Sequence, residues 1–134
     1  METETYNWYS KLLKPSWAPP ASLFGPVWTF LYLVIFATYS WATYLAFKGK
    51  MKYSVLLPFF LNAVFNALFT PIQFGLKNNL LALVDIILVL ATLIWAMAAV
   101  WKYEKRIAIA NIPYLLWVCF ATILQTSITI LNLQ

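Results

Sequence analysis

Four long apolar runs constrain this chain more than any other feature of its sequence. They cover residues 24–47, 53–76, 80–101 and 107–131. Each is about 20 residues long, the length with which an α-helix crosses the hydrocarbon core of a bilayer. Transmembrane β-strands are shorter and alternate apolar with polar residues, so a barrel does not fit. The sequence predicts an all-α integral membrane bundle of four transmembrane helices, forming one domain over residues 1–134.

Composition supports the same conclusion. Hydrophobic residues make up 63% of the chain and charged residues only 10%. A soluble domain carries about 25% charged residues. A domain of this size could not hide so much apolar surface from water, so the partner that we expect for most of that surface is the lipid bilayer.

The basic residues are concentrated in two loops between the runs. Loops 48–52 and 102–106 together hold six of them, namely Lys48, Lys50, Lys52, Lys102, Lys105 and Arg106. The other side carries three, which are Lys11, Lys14 and Lys77. Cytoplasmic loops of membrane proteins carry such an excess. We therefore expect a multi-pass membrane protein with both basic loops in the cytoplasm and no nucleic-acid partner. We take the membrane to be that of a bacterial cell.

Several kinds of chemistry are excluded by missing residue types. The chain has no histidine, which removes the commonest metal ligand and general base. Its one cysteine, Cys119, cannot form an internal disulfide. No glycine-rich phosphate loop, paired carboxylate or nucleophile elbow occurs. We expect no metal, no cofactor and no conventional catalytic site.

Polar residues recur along one face of the second run. Asn62, Asn66, Thr70 and Gln73 follow spacings of four, four and three residues, which place them on one side of a helix. Amides inside a membrane either join helices by hydrogen bonds or form the polar edge of a ligand pocket. Both roles stay open for Asn66, whereas the first is favoured for Asn62.

Two aromatic stripes have the same helical spacing. They comprise Trp28, Tyr32, Phe36 and Tyr39 in the first run, and Tyr114, Trp117, Ala121 and Gln125 in the fourth. Such stripes either face lipid or anchor a helix at the interface. Together with the amides they would instead build an apolar pocket with a few polar groups, which suits a planar hydrophobic ligand with polar edges.

Asp85 is the one acidic residue within an apolar run. A proton-coupled pump needs such an acid, but we favour a carboxyl near the interface that is bonded to a neighbour or reached by water. Ala63 and Ala67 form a pair of small residues that permits close helix contact. That contact lies either within the chain or in a homodimer.

Five segments of the sequence carry a specific resemblance. They are WY at residues 8–9, LKPSWAPP at 13–20, FGPVWTFLY at 24–32, LNAVFN at 61–66 and IPYLLW at 112–117. This combination closely resembles the TspO/translocator protein family, which includes the tryptophan-rich sensory proteins and the peripheral benzodiazepine receptor.

The resemblance implies a receptor or ligand-handling protein for porphyrins and other tetrapyrroles, sterols, or benzodiazepine-type drugs. A loop over about residues 8–23 would cover the pocket as a lid, with Tyr9 and Trp17 in it. Prolines would hold that lid in one compact shape. By position, Trp28 and Asn66 would supply polar contacts to the ligand.

The resemblance also suggests a photochemical activity. Trp8 and Trp117 match tryptophans linked to light-dependent porphyrin breakdown in bacterial members. The predicted ligand site as a whole comprises Tyr9, Trp17, Trp28, Tyr32, Asn62, Asn66, Trp117 and Ala121. Whether the protein acts as an enzyme is left open.

The sequence departs from the family pattern in two respects. The family normally has five spans, and here only residues 1–7 precede Trp8, so we expect the first span to be lacking, either natively or because the chain is truncated. The sterol-recognition segment of animal members has no counterpart after Gln125.

The alternative function is that of a small four-helix multidrug exporter, although the first run lacks the deep acid that such pumps use.

The distribution of basic residues predicts that both termini lie outside the cytoplasm. A reporter that is active only in the cytoplasm should therefore stay silent when it is fused after Gln134. The same reporter fused after Lys105, in the second basic loop, is the matched control and should be active. Strong activity of the C-terminal fusion would reverse the orientation.

Overall fold

The computed structural model describes residues 16–17 and 24–132, and in these residues all regular secondary structure is helical. The helices are α1 (Phe24–Phe47), α2 (Leu56–Thr70), α3 (Asn79–Val100), α4 (Lys105–Ala110) and α5 (Ile112–Leu131). A short 3-10 turn, Tyr53–Val55, precedes α2, and a π-helix, Pro71–Gly75, follows it. Four of these segments are long and apolar enough to cross a membrane, which confirms the predicted class.

The ends of α1 and α3 are set by local sequence. After α1, Gly49 has a φ of 73°, and the N–H of Lys50 donates to the carbonyl of Leu45 at 2.9 Å. This is the arrangement in which a glycine in the left-handed region closes a helix and satisfies its last carbonyls. At the start of α3, the Asn78 side chain accepts from the N–H of Leu81 at 2.9 Å, as an N-cap residue does.

The second and fourth apolar runs, which hydropathy predicts as single helices, are each divided near a proline. Regular α2 ends at Thr70, because Pro71 has no N–H to donate, and the N–H of Leu76 bonds the Pro71 carbonyl across five residues. The fourth run is divided at Asn111, so that Pro113 falls in the first turn of α5. In a first turn the missing N–H costs least.

Helix α3 is the central element, packed most extensively against α2 and α5, whereas α1 contacts the bundle mainly through α2 and α4. Two buried clusters result. The basic-end cluster consists of small and aliphatic side chains, with one phenylalanine: Ala42, Ala46, Met51, Val55, Phe59, Ala96, Val100, Ile107 and Ala108. The Tyr114 cluster contains Leu31, Ile86, Val89, Leu93, Tyr114 and Val118.

The outward faces of the long helices are apolar, as lipid contact requires. Large hydrophobic side chains such as Leu33, Phe60 and Ile123 are exposed on three different helices. Ala63 and Ala67 also lie on an exposed face of α2, so their small-residue pair is not packed within the described chain. The homodimer that they suggest stays a prediction.

Candidate ligand-binding site

The Asn62 side chain lies at the centre of a hydrogen-bond network that joins four helices. Its amide nitrogen donates to the carbonyl of Val89 at 2.9 Å and to the Thr92 hydroxyl at 3.2 Å. Its amide oxygen accepts from the hydroxyls of Tyr39 at 2.6 Å and Tyr114 at 3.0 Å. An amide has two N–H groups and two lone pairs, so these four bonds use its full capacity.

Asn66, one helical turn further along α2, is less fully engaged. Its nitrogen donates to the Tyr114 hydroxyl at 2.6 Å. Its oxygen accepts from the Tyr32 hydroxyl at 3.4 Å, which is long for a bond between two oxygens. Within the described residues, one amide N–H and one lone pair of this buried side chain have no partner. Asn66 can therefore bond a further polar group, whereas Asn62 cannot.

The two tyrosines that bond Asn66 both pack against the ring of Trp28. The ring of Trp28 lies 5.4 Å from that of Tyr32 and 6.4 Å from that of Tyr114, measured between centroids. Trp28, Trp117 and Ala121 all pack against the Tyr114 cluster. These distances are typical of offset and edge-to-face aromatic pairs. The result is an aromatic surface whose two tyrosines bond the Asn66 amide.

A second aromatic group, on α5, extends this surface. Phe120 lies 5.4 Å from Trp117 and 5.8 Å from Trp17, the latter edge to face. Residues 16–17 are thus the part of the expected lid that the structure describes, and the ring of Trp17 contacts the bundle. Tyr32 and Trp17 are each about half exposed, at 49% and 48%, so the aromatic surface is accessible from outside.

Of the predicted site residues, Trp17 packs against Phe120, and the others fall into two groups. Trp28, Tyr32, Asn62, Asn66, Trp117 and Ala121 all bond or pack around Tyr114 or its cluster. Trp8 and Tyr9 lie outside the described residues. The predicted site omitted three residues of the network, namely Tyr39, Thr92 and Tyr114. The helical spacing already placed Tyr39 and Tyr114 on the aromatic stripes. The only sequence signal for Thr92 was that it is a polar residue within an apolar run.

The stripes do not face inward along their whole length. Phe36 is 75% exposed, so it faces lipid rather than the site. Thr70 is exposed as well, and the side chain of Gln73 lies outside the described set. Gln125 is buried, but its amide nitrogen bonds the carbonyl of Asn79 at 3.1 Å, joining α5 to the start of α3. Residues of one helical stripe therefore do not all face the interior of the bundle, because each helix contacts its neighbours over only part of its length.

Asp85 differs from the interfacial carboxyl that the sequence favours. It is only 4% exposed, and its Oδ2 atom has no hydrogen-bond partner in the described part of the chain. It lies on the buried face of α3, one turn before Val89, whose carbonyl accepts from Asn62. The side chain is therefore inside the bundle and outside the network of the two asparagines.

The fold and the site define a class, that of helical membrane proteins with an accessible aromatic surface around a buried amide. Comparison with known families is more specific. Residues 1–131 match the model of the TspO/MBR family. The chain belongs to this family.

Curated relatives cover nearly the whole chain. It is 36% identical to the tryptophan-rich protein TspO of Bacillus cereus over 94% of its own length and 81% of that protein. It is 35% identical to the uncharacterized membrane protein YtaB of Bacillus subtilis, over 95% and 81% respectively. It is 33% identical to the human translocator protein, over 91% and 73% respectively.

The Tyr114 hydroxyl is bonded to both asparagines, so its removal should loosen the bundle. Interhelical hydrogen bonds in membranes average about 0.6 kcal/mol. Because Tyr114→Phe removes two bonds and leaves two buried amides each short of a partner, we expect a loss of about 1–2 kcal/mol in unfolding free energy. Denaturation in detergent measures it. The exposed Tyr53 supplies the control, since Tyr53→Phe should leave the unfolding free energy unchanged. If both substitutions lowered the unfolding free energy equally, the hydrogen-bond network would not be the cause.

Proposed function

We propose that this protein is an integral membrane receptor or ligand-handling protein that binds porphyrins and related flat hydrophobic molecules. The observation that carries the proposal is the partly engaged Asn66 amide, which accepts from the half-exposed Tyr32, whose ring packs against that of Trp28. Rings of this kind stack on a planar apolar ligand. The free N–H of the amide donates to a polar group on the ligand's edge.

The family supports a hydrophobic small-molecule ligand, and relatives carry names such as translocator protein and tryptophan-rich sensory protein. The choice of tetrapyrroles rests on the resemblance of the sequence motifs. Since the chain contains no histidine, we expect binding by stacking and edge contacts rather than through histidine ligation of iron.

Light-dependent breakdown of the bound porphyrin is a secondary activity within this proposal. Trp117 is half-buried beside Phe120 and packs against the Tyr114 cluster. An indole in that position would donate an electron to a photoexcited porphyrin, and molecular oxygen would take up the electron from the reduced porphyrin. Trp117→Phe keeps an aromatic ring, so it should preserve binding and slow the loss of porphyrin absorbance under illumination. Unchanged loss would exclude Trp117 from the photochemistry.

The exporter alternative has one feature in its favour, the buried carboxyl of Asp85. Helix α1, however, contains no acidic residue. Proteoliposomes distinguish the two functions. A pH gradient that drives dye uptake into vesicles, and that loses this effect in Asp85→Asn, would favour export over ligand binding.

Substitutions at the proposed site should weaken porphyrin binding in a fixed order. Trp28→Ala removes a large aromatic face and should cost about 2 kcal/mol, as truncation of an interface hot spot does. Asn66→Ala removes one hydrogen bond to the ligand and should cost about 1 kcal/mol. Titration of protoporphyrin followed by its own absorbance avoids any effect of changing the tryptophan count.

Trp101→Ala is the matched control for this titration. Trp101 is also a half-exposed tryptophan, but it follows α3 at the basic end and should leave porphyrin affinity unchanged. If Trp101→Ala weakened binding as much as Trp28→Ala, the losses would reflect general destabilisation. Normal binding by a folded Trp28→Ala protein would refute the proposed site.

A further inference from the structure

An apolar concavity lies at the basic end of the bundle, where α3 ends and α4 meets α5. Its volume is about 220 Å³, and its lining is entirely apolar: Met97, Ala98, Trp101, Ala108, Ile109 and Ile112. Ala98, Trp101, Ile109 and Ile112 are exposed. The groove therefore opens on the outer surface of the bundle, where the helices meet lipid.

Cations border this groove. The Lys105 ammonium lies 5.4 Å from the centroid of the Trp101 ring, which is part of the lining. Lys102, directly after Trp101 in the chain, lies over the ring of Tyr103 at 5.6 Å. Lys105 thus lies against a residue of the groove lining, and Lys102 is the next residue in the chain after that same lining residue.

The nearby acid does not neutralise these lysines. Glu104 is bonded by Arg106, with Oε2 2.7 Å from Nε and Oε1 3.2 Å from Nη2. This hydrogen-bonded pair holds the pKa of Glu104 below its usual value, so the carboxylate stays ionised and engaged with Arg106. In the part of the chain that the structure describes, neither Lys102 nor Lys105 pairs with a carboxylate.

We propose that this groove binds one anionic phospholipid of the surrounding bilayer. An acyl chain would lie against the apolar lining, and the phosphate and anionic headgroup would contact Lys102 and Lys105. The depth is appropriate, because the groove lies where transmembrane helices end and Trp101 has the position of an interfacial tryptophan. Basic residues at this level attract anionic headgroups, and basic pockets between transmembrane helices bind them specifically.

Charge argues against a second copy of this chain as the occupant. Two copies in one membrane have the same orientation, so a neighbour would bring its own basic loops to the same level. Those loops hold six cations and one acid, Glu104, which is already bonded to Arg106. Like charges at close range are repulsive, whereas an anionic lipid is complementary to both the charge and the apolar lining.

Native mass spectrometry of the purified full chain tests this site. The protein is titrated with phosphatidylglycerol and, separately, with phosphatidylcholine that has the same acyl chains. One phosphatidylglycerol should bind about tenfold or more tightly than phosphatidylcholine, because each lysine near the headgroup contributes roughly fivefold. Lys102→Gln/Lys105→Gln should remove this preference. Lys50→Gln/Lys52→Gln, which removes equal charge from the other basic loop, should keep it.

A second pair of variants tests the apolar part of the site without changing charge. Ala98→Phe fills the groove and should lower the affinity for both lipids. Ala91→Phe adds the same ring two turns earlier on an exposed position of α3 and should not. Folding of each variant is checked by its unfolding temperature in detergent.

Three results would overturn the proposal. The first is equal affinity of the unaltered protein for the two lipids. The second is an equal loss of preference in both double-lysine variants, which would mean diffuse attraction rather than a site. The third is a change in the proportion of dimers, with lipid retention unchanged, when Ala98 is replaced, which would make a second copy the occupant.

Discussion

The four hydrogen bonds of the Asn62 amide are the interaction on which the rest of the bundle depends. Apolar side chains give helices little reason to associate in lipid, since lipid tails are equally apolar. An amide in hydrocarbon is different, because an unsatisfied polar group there costs several kcal/mol. Asn62 meets that requirement by bonding Tyr39, Tyr114, Thr92 and the carbonyl of Val89. One side chain of α2 thereby bonds α1, α3 and α5 directly.

The same network explains why Asn66 suits ligand binding. Since Asn62 already holds the helices together, its neighbour one turn away can remain partly unsatisfied without loss of the fold. The Tyr32 bond of Asn66, at 3.4 Å, is the longest of the hydrogen bonds that join these tyrosines and asparagines. A ligand that replaces this bond gives up little, whereas one that displaced Tyr114 would disturb both asparagines.

Much of this arrangement could be predicted from the sequence, and the exceptions have physical causes. The four-residue spacing of Asn62 and Asn66 predicted that both lie on one face, and both are buried. Spacing alone did not show that Phe36 faces lipid, since the facing of a side chain depends on which neighbour its helix meets at that depth. Hydropathy predicted one span over residues 107–131, whereas the structure has two helices, α4 and α5. Pro113 made a break energetically favourable, but only packing fixed it at Asn111.

The junction at Asn111 shows how the two ends of the molecule are connected. Its amide nitrogen donates to the Thr38 hydroxyl at 3.0 Å and to the carbonyl of Ile107 at 2.8 Å, so the break between α4 and α5 is bonded to α1. Three residues further on, Tyr114 begins the network around the asparagines. Away from these bonds, α1 packs less extensively than α2, α3 or α5. If the part of α1 around Tyr32 separated from α2, the long bond between Tyr32 and Asn66 would break first, and the bond between Thr38 and Asn111 would stay intact. A ligand at the proposed site therefore has only the long Tyr32 bond to replace at the Asn66 oxygen.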